Sequence, residues 1–153
     1  MGNSLARLLR VRHLLEESSR MELERRAALA ARVEELREGE RAKIRAGRER
    51  ALASICGSGP EEERLRERSM EWRSAEDAAR REQQLEPVSQ AAARRVAEGR
   101  EEFLERRKER RQVERVLEAE QERLREEQDR RTQRGLDDWF GMKEARRRSR
   151  EPS

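Results

Sequence analysis

The residues that could do chemistry in this chain are few and lie far apart in the sequence. There is one histidine, His13, and one cysteine, Cys56. A zinc site or a nucleophile–base pair needs several such groups brought together, so neither is predicted. The 34 acidic residues are nearly matched by 38 basic ones, which indicates solvated ion pairs rather than a catalytic pair of carboxylates. The sequence therefore predicts no enzyme activity, no metal site and no cofactor.

The composition instead indicates long helices. Charged residues make up 47% of the chain, yet the net charge is only +4. Ala, Glu, Lys, Leu and Arg account for 101 of the 153 residues, well above the roughly 50% that marks coiled coils and long helices. A single cysteine fits a reducing cytoplasm, and no apolar run approaches the roughly 18 residues of a membrane span. We expect an intracellular helical protein.

Leucines in the first third of the chain fall on one lattice with a period of seven residues. Leu8, Leu15, Leu29 and Leu36 occupy it, and Glu22 takes the one missing place. Seven residues make nearly two helical turns, so these side chains form a narrow stripe that is typical of a coiled-coil seam. The pattern predicts an all-α fold, an antiparallel two-helix coiled-coil hairpin with a longer C-terminal helix.

A short break separates the two predicted helices. Gly57 can end a helix in the left-handed conformation, and Pro60 suits the first position of the next helix, where its missing amide costs nothing. So short a link favours antiparallel neighbours. The predicted boundaries, within a single domain over residues 1–153, are helix one at about 4–55, the turn at 56–60 and helix two at about 61–148.

Folding the chain at this turn predicts which residues meet. Leu36 is expected opposite Ala79, and Ile44 opposite Trp72, with Trp72 in the core or at the tip of the hairpin and a partner contact as the alternative. Leu29 and Leu36 are expected in the seam. The facing seam residues on helix two are expected to be Leu85, Val88 and Phe103. Pro87 predicts a kink in helix two, with a true break as the alternative that stays open.

The end of helix two is expected to extend beyond helix one. On the predicted register, the N-terminal end of helix one lies level with about residue 110 of helix two. The apolar stripe of Val113, Leu117 and Leu124 therefore has no partner within the chain. An unpartnered apolar stripe requires something outside the chain to bury it. The sequence therefore predicts a partner-binding surface on this part of helix two.

A basic cluster closes the chain, formed by Lys143, Arg146–Arg148 and Arg150. Elsewhere basic and acidic residues alternate, so their fields largely cancel and nucleic-acid binding is not expected. A solvated tail, a contact to an acidic protein surface and a contact to anionic lipid are the alternatives for this cluster.

One segment carries a recognisable signature, the run from Asp129 to Phe140 with the sequence DRRTQRGLDDWF. It resembles the C-terminal end of the FliJ/YscO family, the central-stalk proteins of bacterial type III secretion and flagellar export ATPases. The length, the helical hairpin, the charge density and the Gly-Ser-Gly-Pro turn agree with that family over essentially the whole chain. Gly135 and the doubled aromatic Trp139-Phe140 depart from its usual helix former and single Phe.

The resemblance implies a coupling function. The family's hairpin stands in the central hole of a homohexameric secretion ATPase and links it to the cytoplasmic domain of the export gate. Family members also contact export chaperones, and some are themselves exported. The implied location is the cytoplasmic face of the secretion apparatus, with membrane contact only through that apparatus.

Two expectations follow for the function and its residues. The expected partner-binding residues are Val113, Leu117, Leu124, Arg130, Arg131, Arg134, Leu136, Trp139 and Phe140. The alternative function is a generic coiled-coil scaffold or adaptor with no ATPase partner.

Overall fold

The protein is an all-α helical hairpin in the computed structural model, which describes residues 2–149. Helix α1 spans Gly2–Cys56 and helix α2 spans Glu61–Arg148, and no strand occurs within the described range. The predicted fold class is therefore confirmed. Arg150, a member of the predicted basic cluster, lies outside the described residues.

The link between the helices is closed by one arginine. The backbone amide of Arg64 donates to the Pro60 carbonyl at 3.2 Å, and the Arg64 guanidinium donates to the Ile55 carbonyl at 3.4 Å. The side chain thus satisfies one of the carbonyls that the end of α1 leaves unpaired. No described glycine has a positive φ, so the left-handed cap predicted at Gly57 is wrong.

Helix α2 continues through Pro87 as one element. The proline removes one backbone hydrogen bond, which usually kinks or ends a helix. Here the residues on either side of it are held by α1, because the Arg37 guanidinium donates to Glu86 and, at 3.3 Å, to the hydroxyl of Ser89. Of the two alternatives left open by the sequence, the true break is excluded.

The chain divides into two compact units. The turn unit, Glu17–Glu105, contains the link and the parts of both helices next to it. The terminal unit consists of residues 2–16 of α1 with residues 106–149 of α2. Neither helix, within residues 2–149, has an apolar stretch long enough to cross a bilayer.

The two helices of the turn unit run antiparallel in a register that differs from the predicted one. Arg50 donates to Glu71 at 2.9 Å, and Arg81 donates to Glu40 at 2.9 Å. These pairs place each residue of α1 opposite a position about five residues further along α2 than predicted. The pairing of Leu36 with Ala79 is therefore wrong, because the seven-residue lattice used to align the helices does not lie in the seam.

Leu29 and Leu36 face solvent instead, with 63% and 54% of their surfaces exposed. Most of the residues of α1 that are buried or half-buried recur at alternating spacings of four and three, the pattern of a coiled-coil seam; Glu17, Glu22, Arg41 and Ala46 are half-buried outside this spacing. In the turn unit the eleven residues that follow the spacing are Ser19, Leu23, Arg26, Ala30, Val33, Arg37, Glu40, Ile44, Gly47, Ala51 and Ser54. Only three of these eleven are large and apolar, so leucine content was a poor guide to the seam.

On α2 the predicted seam is partly correct. Leu85 and Phe103 are half-buried, as expected, whereas Val88 is exposed. Trp72 is also about half exposed, so its placement in the core is wrong.

Small residues hold the helices close together near the link. Ala78 is fully buried, and Ala51 and Ala75 are nearly so. A Cβ atom added at Gly47 would lie 3.0 Å from the Cβ of Ala75 and 3.2 Å from the carbonyl oxygen of Glu71. Because these distances leave no room for a larger side chain, this part of the seam excludes leucine by contact with the facing backbone.

A buried arginine fixes the register further from the link. Arg37 is only 7% exposed, and its guanidinium donates to Glu82 at 2.9 Å as well as to Glu86 and Ser89 on α2. Burial alone would lower the pKa of Arg37, but the hydrogen bond to Glu82 and the charges of Glu86, Glu34 and Glu82 raise it overall. Arg37 therefore stays charged, and any slip of the register would separate its charge from these carboxylates.

Candidate partner-binding surface

The terminal unit pairs α1 with α2 only as far as about residue 120 of α2. Arg12 donates to Glu109 at 2.6 Å, and Arg110 donates to Glu16. The hydrogen bond to Glu16 is the main cause that raises the pKa of Arg110. Both contacts are ion pairs between α1 and α2, and together they set the register of the helices in the terminal unit.

Val113 and Leu117 lie inside this paired part. Both are half-buried, and so are Leu5 and Leu9, which lie level with them on α1 in the register set by the ion pairs. The prediction that Val113 and Leu117 lack a partner in the chain is therefore wrong, because the true register places the start of α1 further along α2. Leu124, the third member of the stripe, is 46% exposed.

Beyond this point the helix has no covering element among the described residues. Every residue from 121 to 143 is exposed, and we call residues 121–149 the C-terminal stretch. Pairs four residues apart support the helix on its own surface. Arg130 donates to Glu126 at 3.0 Å, and Arg131 donates to Glu127 at 2.6 Å. Such pairs add about 0.2–0.5 kcal/mol each to helix stability.

The two aromatic residues of this stretch form one cluster with a lysine. The rings of Trp139 and Phe140 meet edge to face, with centroids 5.0 Å apart and planes at 79°. The ammonium of Lys143 lies 5.0 Å from the centroid of the Trp139 ring, within the range of a cation–π interaction. About half of each aromatic residue remains exposed. The cluster is thus preorganised and still open to a partner.

Helical spacing places the cluster on one face. Trp139 and Phe140 follow Leu136 by three and four residues, Lys143 follows them by four and three, and Arg147 follows Lys143 by four, so all five share a side of α2. Exposed apolar side chains on that side are bordered by positive charge. A surface of this kind favours a partner that offers an apolar pocket with acidic residues at its rim.

The three arginines predicted to bind a partner differ in their present contacts. Arg130 and Arg131 are engaged by glutamates of their own helix, through exposed ion pairs. A partner carboxylate would have to compete with these glutamates, although exposed pairs are weak. Arg134, in contrast, forms no ion pair with another described residue.

The basic cluster is partly neutralised within the helix. Arg147 and Arg148 approach Glu144 at 3.0 and 3.5 Å. Arg146 lines the same shallow depression as Trp139 and Lys143. Positive charge and aromatic surface therefore adjoin each other at the end of α2.

The residues considered for chemistry are not brought into a site. Cys56 is an exposed free thiol at the end of α1, and His13 is exposed on α1. The described residues contain no group of three or more side chains placed to hold a metal ion.

A second exposed apolar surface lies in the turn unit, where the sequence interpretation expected a seam. Leu29 and Leu36 of α1 line an open groove with Pro87, Val88 and Ala91 of α2. One signal could have revealed it. The leucine lattice lacks a consistent apolar companion three or four residues after each leucine, which a coiled-coil seam requires.

Comparisons of the chain with protein-family models, with curated proteins and with solved structures give no match.

Proposed function

We propose that the protein is a central-stalk, coupling protein of a type III secretion or flagellar export apparatus, and that its C-terminal stretch docks on a homohexameric ATPase. The observation that carries this proposal is the exposed Trp139–Phe140–Lys143 cluster near the end of α2, whose residues 121–143 no described residue of the chain covers. The resemblance of residues 129–140 to the FliJ/YscO family supplies the identity of the partner.

The chemistry of the stretch supports a protein partner. Aromatic residues and arginines are favoured anchors at interfaces, because they bury a large area for few rotatable bonds. Arg134, Arg146 and Lys143 would complement an acidic lining of the ring, which governs orientation and association rate more than affinity. The export-gate domain and export chaperones remain further proposed partners, and the proposed location is the cytoplasmic face of the apparatus.

The test is a paired double substitution. In Trp139→Ala/Phe140→Ala both anchors are lost, while the helix keeps its hydrogen bonds. We expect unchanged helicity by circular dichroism, at least tenfold weaker binding to the secretion ATPase of the same genome, and loss of any stimulation of ATP hydrolysis.

The chain supplies its own matched control. Trp72 is 51% exposed, as is Trp139, and Met70, two residues earlier in the turn unit, is 70% exposed. Trp72→Ala/Met70→Ala removes a similar exposed apolar area and should leave ATPase binding intact. Normal binding and stimulation by the Trp139/Phe140 variant would refute the docking site. A wild-type protein that never engages a hexameric ATPase would refute the proposed family as well.

The alternative is a coiled-coil scaffold without an ATPase partner. The exposed groove of Leu29, Leu36 and Val88 favours it, since such a groove accepts an amphipathic helix. A scaffold of this kind would bind its partners through the turn unit and would be insensitive to the Trp139/Phe140 substitution.

A further inference from the structure

The exposed leucines of the turn unit belong to a line of four residues with a distinct order of charge. Glu22, Leu29, Leu36 and Lys43 follow one another at intervals of seven on α1. Successive members rotate by only about 20°, so the four side chains form one stripe along the helix. We call these four residues the leucine stripe.

The stripe borders an apolar floor. Leu29 and Leu36 line the same groove as Pro87, Val88 and Ala91, which α2 contributes from the other side. Both leucines are more than half exposed. Five charged residues also line the groove, namely Glu22, Arg26, Arg32, Arg95 and Glu98. Scattered exposed leucines need no explanation, but apolar residues of two helices that line one open groove on a highly charged protein indicate a binding surface.

The order of the charged residues in the leucine stripe indicates which partner fits it. Read along α1 the stripe is acid, leucine, leucine, base, and read backwards it is base, leucine, leucine, acid. Two copies that meet antiparallel therefore place Glu22 against Lys43 of the second copy and Leu29 against Leu36 of the second copy. A two-fold axis between residues 32 and 33 repeats each contact, as an isologous interface requires.

The parallel arrangement is disfavoured by the same residues. It would set Glu22 against Glu22 and Lys43 against Lys43, which replaces two attractive pairs with two repulsive ones. Because like charges that face each other repel, the stripe favours the antiparallel orientation of the two copies over the parallel one.

The charged ends of the stripe are available. Glu22 accepts from Arg26 at 3.2 Å, and Lys43 donates to Glu40 at 2.6 Å, but their side chains remain 47% and 61% exposed. A carboxylate accepts several hydrogen bonds, and an ammonium has three donors, so each group can add a partner without giving up its present one.

We propose that a second copy of this chain docks antiparallel on the leucine stripe, which buries Leu29 and Leu36 of both copies in a two-fold interface over the groove. The proposal does not depend on the ATPase partner, because none of its residues lies in the C-terminal stretch.

Cross-linking between two single-cysteine variants tests the register. In a Cys56→Ser background, Leu29→Cys and Leu36→Cys chains are mixed and oxidised. The proposed register brings positions 29 and 36 of different copies together, so mixed disulfide dimers should form. Position 29 of one copy would lie about 10 Å along the helix from position 29 of the other, beyond the reach of a disulfide, so Leu29→Cys alone should stay uncross-linked.

Leu52→Cys is the control, because Leu52 is an exposed apolar residue on the same helix and lies outside the stripe. It should form no dimer at the same concentration. Self-cross-linking of Leu29→Cys, or equal cross-linking of the Leu52 control, would overturn the proposal.

Charge exchange tests the orientation in solution by sedimentation velocity. Glu22→Lys and Lys43→Glu should each raise the dissociation constant of the dimer at least fivefold, and the double exchange Glu22→Lys/Lys43→Glu should restore it. Leu36→Glu should leave a folded monomer.

Two controls separate this proposal from the proposed function. Trp139→Ala/Phe140→Ala should dimerise as the wild type does, whether or not it binds an ATPase. A wild-type chain that stays monomeric at about 100 µM, or a dimer that Leu36→Glu does not weaken, would overturn the second-copy interface, and an unrelated helical partner would then be the occupant of the groove.

Discussion

In the turn unit, the face of α1 that packs against α2 and the exposed face next to it differ in an unusual way in their residue types. The face against α2 carries Arg37, Glu40 and Gly47, whereas the neighbouring face carries Leu29 and Leu36 in the open. In most coiled coils the leucines occupy the seam and the charges flank it. The difference shows that close contact of small residues and ion pairs between the helices hold this part of the hairpin together, while Leu29 and Leu36 remain exposed.

Close packing of small residues and ion pairing of Arg37 stabilise the seam at different distances from the link. Near the link, Gly47 and Ala75 bring the backbones together. Further away, the long Arg37 side chain spans the gap and covers it with its aliphatic stem before it reaches the carboxylates of α2. The small residues contribute packing, and Arg37 contributes register.

The largest expected effect comes from filling the close approach. Gly47→Leu would drive a side chain into Ala75 and the backbone of Glu71, and we expect it to lower the free energy of unfolding by about 1–3 kcal/mol. Gly39→Leu is the matched change, because nothing lies within 4 Å of a Cβ at Gly39. It should raise stability by up to about 1 kcal/mol through helix propensity. Urea unfolding followed by circular dichroism measures both, and equal effects would contradict the contrast between the faces.

The next effect compares an apolar residue on each face. Ile44 is only half-buried in the seam, so Ile44→Ala should cost about 1–2 kcal/mol, less than the roughly 2–5 kcal/mol of a fully buried isoleucine. Leu36→Ala should change stability by less than about 0.5 kcal/mol, since the side chain is exposed. The leucine lattice alone predicts the reverse, a cost of about 2–3 kcal/mol at Leu36. Unfolding near 1 µM keeps the proposed dimer from contributing, and a larger loss at Leu36 would restore the lattice as the seam.

The smallest effect is a dependence on pH. Hydrogen bonds from Lys43 and Arg81 hold the pKa of Glu40 below its ordinary value. The stability that Glu40 contributes is therefore fully present above the ordinary glutamate pKa of about 4.3 and is lost as the pH falls through the lowered value. Glu40→Gln should melt below wild type at pH 7, and the difference in melting temperature should narrow steadily as the pH falls below the ordinary glutamate pKa. The exposed Glu49→Gln is the control, and a difference that does not change as the medium is acidified would contradict this assignment.

Much of the C-terminal stretch could be predicted from the sequence, and little of the seam could. The exposure of Leu136, Trp139 and Phe140 follows from a highly charged helix that runs on after its partner has ended. The half-burial of Val113 and Leu117 did not follow, because it depends on a register that differs from the predicted one by about five residues. That register is set by the ion pairs of Arg12 with Glu109 and of Arg110 with Glu16. Because arginine and glutamate are abundant throughout the chain, its sequence allows many other pairings of this kind.

The sequence by itself determined the helices and the link between them. Helix propensity, ion pairs four residues apart and the Gly-Ser-Gly-Pro break act over a few residues, so they can be read along the chain. Only the tertiary structure decided which face of α1 meets α2. Two stripes about 70° apart on α1 compete to face α2, and the outcome depends on whether the close approach of Gly47 to Ala75 and the ion pairs of Arg37 can form in a single register. These contacts depend on residues of both helices at once, so the residue pattern of a single helix cannot predict them.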